Sequence, residues 1–234
     1  MQFRMQFRKT LGLTAGAALL AVTGAACGGS SDNGVAKKTP DQIIAAMKAA
    51  LNKNGSFHVA GSGKSGGSGL GVDLNIDAKK NAAVGSLTVN GQRLDLVRIG
   101  SAIYIKAPAA FFQAQGAPAA AATAFDNKWL KSTTSSKSFS DLSDVTTVDG
   151  FLKPDGPITK GSASTLHGKK VLALVDSKGT SDEGTLYVQT TGDPLPVQIV
   201  SGGSDSGTLV FDKFGETVTA TAPAAAVDLS NVGG

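Results

Sequence analysis

The sequence predicts an α+β domain with helices gathered on one face of a large antiparallel β-sheet. Three observations carry that reading. A capped amphipathic helix opens the folded region at Thr39. Two runs of short, turn-bounded strands follow, one over 56–106 and one over 170–221. Between them lies an Ala-rich, Pro-broken stretch of helical character, and strands and helices segregated in this way make an antiparallel sheet covered by helices.

The first element is an export signal. Arg4, Arg8 and Lys9 precede an uncharged run over 11–22 rich in Ala and Leu, which is too short for the roughly 20 residues a bilayer core requires. The opening MQFR is repeated at Met5, so the chain offers two starts, and both leave a working signal. Without an Arg-Arg pair, the general export route is expected rather than the twin-arginine route. Gly24, Ala25 and Ala26 then lead to Cys27. Two outcomes are open there. Ordinary signal peptidase could cut after the small residues and release a soluble protein, or Cys27 could be acylated. GAAC resembles a bacterial lipobox, with Gly24 where an aliphatic residue is more usual. Cys27 is the sole cysteine of the chain, and a lone thiol at this position in an exported protein favours acylation. A diacylglycerol plus an amide-linked chain would hold the protein at the outer face of the cytoplasmic membrane. The expected division is therefore a signal over 1–26, a Gly/Ser/Asp/Asn/Lys-rich tether over 27–38, and one domain over 39–234.

Composition narrows the function. The chain carries 22 basic and 18 acidic residues, and three of the basic ones leave with the signal, so the remaining 19 nearly balance the acids. That balance gives no basic stripe for nucleic acid. One cysteine excludes an internal disulfide and a multi-cysteine zinc site.

Thr39-Pro40-Asp41-Gln42 reads as an N-cap, a proline at N1 and a capping box closed by Gln42. Ile43, Met47, Ala50 and Leu51 then fall on one helical face before Asn54-Gly55. Ser56 to Gly63 is a strand. Val72, Leu74 and Ile76 alternate with Asp73, Asn75 and Asp77 in a half-buried strand. Val84–Val89 and Arg93–Ile99 flank an Asn90-Gly91 hairpin turn, and Ala102–Lys106 follows. One or two short helices are expected over 108–125 and a short strand at 128–131. A helix is expected over 139–151, weakened by Thr146, Thr147 and Gly150. The later strands are 170–175, 184–189, 197–201, 207–211 and 216–221. Val171 to Val175, reading V-L-A-L-V, is apolar on both faces.

The residues that could carry chemistry point away from catalysis. His58 lies in a strand and His167 in a turn, and no nucleophile elbow, zinc-protease helix or phosphate loop appears. Gly61 and Gly63 lie between strands rather than before a helix. Asp73, Asn75 and Asp77 line one solvated strand face, and Asp141, Asp144 and Asp149 a helix surface or cap, so no metal and no cofactor is expected. With one Trp, two Tyr and ten Phe, stacking on sugars is poorly supported. Leu96, Ile103, Ile105, Leu172, Leu174, Leu186 and Leu209 are apolar strand positions that line either a cavity or an ordinary core. Phe111 and Phe112 could cap such a cavity from the helical segment.

Several segments together resemble actinobacterial lipoproteins of the LppX/LprAFG type, related in fold to the carriers LolA and LolB. These are the export signal, tether and first helix, Ser56-Phe57-His58-Val59, Ile103-Tyr104-Ile105 after Gly100, Trp129, and the ending from Phe211 through Lys213-Phe214-Gly215 to Pro223. The resemblance implies a half-barrel: a strongly bent antiparallel sheet with helices across its concave face. It also implies an apolar space that binds or transfers membrane lipids or lipidated glycans without enzymatic activity. No protein partner is indicated. The alternative is a tethered envelope interaction or sensor domain without a small ligand.

Overall fold

The computed structural model describes residues 32–65, 67–136, 140–154, 156–176, 184–203 and 206–229. The signal, Cys27 and the first part of the tether lie outside them. Helix α1 (Pro40–Asn54) begins as its sequence dictates. Thr39 Oγ1 accepts from Gln42 N, and Gln42 Oε1 accepts from Thr39 N, which closes the capping box. Its buried face comprises Ile43, Ile44, Met47, Ala50 and Leu51.

Strands β1 (Ser56–Ser65), β2 (Ser68–Asp77), β3 (Ala82–Val89), β4 (Gln92–Ile99) and β5 (Ala102–Lys106) form a meander. Asn90 and Gly91, at φ 49° and 78°, make the β3–β4 turn in the conformation that two-residue hairpins favour. Helices α2 (Ala109–Ala114) and α3 (Ala119–Phe125) precede β6 (Trp129–Thr133). Helices α4 (Ser140–Asp144) and α5 (Val148–Leu152) precede β7 (Ile158–Leu166), β8 (Lys169–Asp176), β9 (Gly184–Gln189), β10 (Pro196–Ser201), β11 (Gly207–Asp212) and β12 (Val227–Asp228). The twelve strands make one open sheet in the order β12-β6-β5-β4-β3-β2-β1-β11-β10-β9-β8-β7. It is a bent half-barrel with the helices packed on its apolar face, the α+β arrangement expected. No helix among the described residues is long and apolar enough to cross a membrane.

Five details depart from expectation. The sheet is mixed, because β12 pairs with β6 in parallel. Lys131 Nζ reaches Asp228 Oδ2 at 2.7 Å across that pair, and this hydrogen bond raises the Lys131 pKa. The helix expected over 139–151 is two, since Thr147 is extended and its hydroxyl accepts from Gly150 N to start α5 afresh. Strand β7 was not legible: it is an edge strand, exposed along nearly its whole length, and carries no apolar alternation. No strand forms over 216–221. Strand β11 already has β1 on one side and β10 on the other, so the returning chain finds no free partner there. Finally, the tether does not run free to Lys38. Asp32 forms a β-bridge with Thr191, Asn33 N donates to Thr190 O, and Val35 is completely buried.

The two halves of the sheet join where β1 pairs with β11, in register from His58–Asp212 to Gly63–Gly207. The backbones approach so closely that a Cβ on Gly61 would lie 1.9 Å from Thr208 O. Gly61→Ala is expected to lower the unfolding free energy by about 1–3 kcal/mol, the usual cost of overpacking. Gly69 has open space around its Cβ position, so Gly69→Ala is expected to stay within about 0.5 kcal/mol of wild type. Urea denaturation of both variants checks the contrast, and equal effects would contradict it.

Candidate functional site

Side chains of period two put alternate residues of each strand on the inner face. The registers turn those residues into rows. One row crosses Leu130, Ile105, Leu96, Gly85, Leu74, Val59 and Phe211, from β6 to β11. A second crosses eight strands through Leu94, Leu87, Val72, Gly61, Leu209, Ile199, Leu186 and Leu174. Seven strand spacings make this apolar track about 33 Å long. All nine residues singled out from the sequence sit on this face or in the layer over it. Leu96, Ile103, Ile105, Phe112, Leu172, Leu174 and Leu209 are buried in one apolar cluster, and Phe111 and Leu186 are half-buried against it.

The covering layer is α1 with the four short helices. Ile43, Met47 and Leu51 of α1, Phe112 of α2, Ala122 of α3 and Leu152 of α5 all belong to the same cluster. Phe151 stacks edge-on against Phe57 and Phe211, with ring centroids 6.4 and 5.8 Å away, and so fixes α5 over the β1–β11 junction. Phe111, Phe112 and Phe125 form a second aromatic chain, at 5.5 and 5.9 Å, that ties α2 to α3. Strand β8 is buried on both sides, as its V-L-A-L-V sequence requires. Leu172 and Leu174 face the inner cluster, while Val171 and Ala173 lie outside it.

The polar candidates go elsewhere. His58 lies on the outer face between two carboxylates, with Nδ1 2.7 Å from Asp212 Oδ1 and Nε2 3.0 Å from Asp73 Oδ1. Asp77 Oδ1 accepts from the Lys79 and Lys80 amides and stabilises the β2–β3 turn. His167 sits in the β7–β8 turn at φ 49°, with Nε2 2.9 Å from Gln198 Oε1. Gly61 and Gly63 serve the β1–β11 approach. Among the described residues, no group of three or more His, Cys, Asp or Glu could hold a metal ion.

One inner-face residue escaped the sequence reading. Arg98 has the parity of Leu94 and Leu96, and that spacing is the signal that would have found it. It is 8% exposed, registered between Ile103 and Ala83. Nε donates to Gly100 O at 3.0 Å, and Nη1 donates to Thr146 Oγ1 at 2.8 Å. Burial pushes the guanidinium below its ordinary pKa. This end of the sheet holds the β4–β5 turn, where Ile99 pairs with Ala102. It also holds the start of β1 and the end of β9, beside which Asp32 of the N-terminal segment is docked. There Lys53 and Asn54 of α1 bond the Asp193 carboxylate and hold its pKa below the usual range.

No family model and no curated protein sequence matches the chain. Solved structures do. LprF from Mycobacterium bovis superposes with a TM-score of 0.53 at 14% identity, over 84% of this chain and 100% of LprF. The Mycobacterium tuberculosis lipoprotein LppX gives 0.49 at 19% identity, over 78% of this chain and 100% of LppX. An uncharacterized conserved protein from Thermus thermophilus gives 0.45 at 12% identity, over 80% and 96% of the two chains. The chain therefore has the LprF-type fold that its sequence pattern resembles.

Proposed function

We propose that this chain is an exported lipoprotein, acylated at Cys27, whose inner sheet face takes up the acyl chains of a membrane lipid or lipidated glycan. The observation that carries the reading is the apolar track over eight strands, roofed in part by helices of only five to seven residues. A layer of short segments tied by a few aromatic contacts can part from the sheet with less loss of packing than one long helix. Acyl chains entering between them replace protein–protein burial with protein–lipid burial. Each methylene taken from water contributes roughly 0.8 kcal/mol. The LprF-type fold supports the same reading. No catalytic group is invoked: binding and release are non-covalent.

The docked segment bears on where such an anchor would hold the domain. Cys27 lies five residue steps before Asp32, a span of at most about 18 Å at full extension. An acylated Cys27 would hold the end of the sheet that carries Thr191 and the β4–β5 turn close to the bilayer. The mouth of the lipid site would face its source.

Protein purified from its native membrane and examined by native mass spectrometry is expected to carry bound lipid. Leu186→Trp, at a half-buried position on the track, should reduce the bound fraction roughly tenfold. That is the loss expected from displacing about two methylenes of chain. A fold-competent protein that carries no lipid, and instead captures one defined envelope partner, would overturn this in favour of an interaction domain. Separately, the mass of the mature N-terminus should show a diacylglyceryl group on Cys27, and Cys27→Ala should move the protein out of the membrane fraction. An unmodified Cys27 would contradict the anchor and leave export intact.

A further inference from the structure

Resting on that lipid-binding reading, we infer that Arg98 is the headgroup contact and that the favoured ligand carries an anionic, phosphate-type group. The surroundings of Arg98 make the case. The inner face is apolar along both rows, yet this one position holds a cation with 8% exposure. No ion pair to it occurs among the described side chains; its acceptors there are the Gly100 and Ser143 carbonyls and the Thr146 hydroxyl, all neutral. Those bonds use Nε and Nη1 and leave Nη2 with no protein acceptor among the described residues. A buried cation is strongly disfavoured unless a counter-charge compensates it, and a guanidinium presents its donors in a fork that suits phosphate oxygens.

Position agrees with chemistry. Arg98 is one residue from the end of β4, at the end of the sheet where the N-terminal segment is docked. Its Nη1 bonds reach Ser143 and Thr146, at the end of α4 and in its connection to α5, so the guanidinium lies between sheet and helical layer. The second row starts at Leu94, on the strand that carries Arg98, so a lipid whose chains follow that row from β4 towards β8 would leave its headgroup on the Arg98 side. A neutral headgroup would leave the cation uncompensated, so the site discriminates by charge.

The test offers the full-length protein in detergent an equimolar mixture of dioleoylphosphatidic acid and dioleoylglycerol, which share acyl chains and differ by the phosphate. Bound species are counted by native mass spectrometry. Wild type is expected to prefer phosphatidic acid by at least about tenfold, the scale of one charge-assisted hydrogen bond. Arg98→Gln should bring the ratio near one while lipid still binds, and Arg98→Lys should retain a preference. A wild-type ratio near one overturns the inference, whatever the variants do. An Arg98→Gln protein that binds both lipids more weakly at an unchanged ratio also overturns it, since that is the mark of a purely structural arginine. Binding of neither lipid defeats the lipid-binding reading itself. Excess inorganic phosphate separates the two sources of anion. If it leaves the preference intact, the site takes a headgroup held by its chains; if it abolishes the preference, Arg98 belongs to free phosphate and the headgroup assignment falls.

Discussion

The architecture depends on the contact between β1 and β11. Strands β2 to β6 and then β12 continue from one side of that pair, and β10 to β7 from the other. Without it the chain would hold two separate sheets. The contact is backbone against backbone: Gly61 and Gly63 face Thr208 and Gly207 with no room for a Cβ. Phe57 and Phe211 flank it, 6.1 Å apart, and Phe151 closes over both. One junction thus joins the halves, aligns Val59 with Phe211 and Gly61 with Leu209, and seats a helix of the covering layer. Both apolar rows pass through it.

Much of this was legible because local chemistry and tertiary environment agree. The capping box of α1, the Asn90-Gly91 turn and the alternation of β2 each specify their structure within a few residues. Where they disagree, the sequence is silent. Strand β7 lies at an edge with solvent on both faces, so nothing selects an apolar period there. The stretch Thr217-Val218-Thr219-Ala220-Thr221 has strand composition but follows a strand whose two neighbours are already in place. Gly and Ser residues preceding Val35 read as a linker, and only the burial of Val35 reveals that the segment is docked.

The candidate site divides in the same way. All nine apolar candidates gather on one face or its cover, because period two and strand register suffice to bring them together. What the pattern could not separate was a cavity lining from an ordinary core, since both need the same residues at the same spacing. Arg98 was overlooked for the opposite reason: a charged residue in a strand is usually a solvated one, and only the register shows it standing between Ile103 and Ala83 on the buried side. The docked N-terminal segment and Arg98 lie at the same end of the sheet, where β4 and β9 finish.

The central claim is that the inner face, and not the outer one, receives acyl chains. Methyl NMR with a stearate spin-labelled near its chain end tests it most directly. Leu94, Leu96, Leu186 and Leu209 should broaden on addition of the probe, while Val97 and Val171, buried outside the inner cluster, should keep their intensity. Broadening confined to outer-face methyls, or none at saturating probe, would contradict the account.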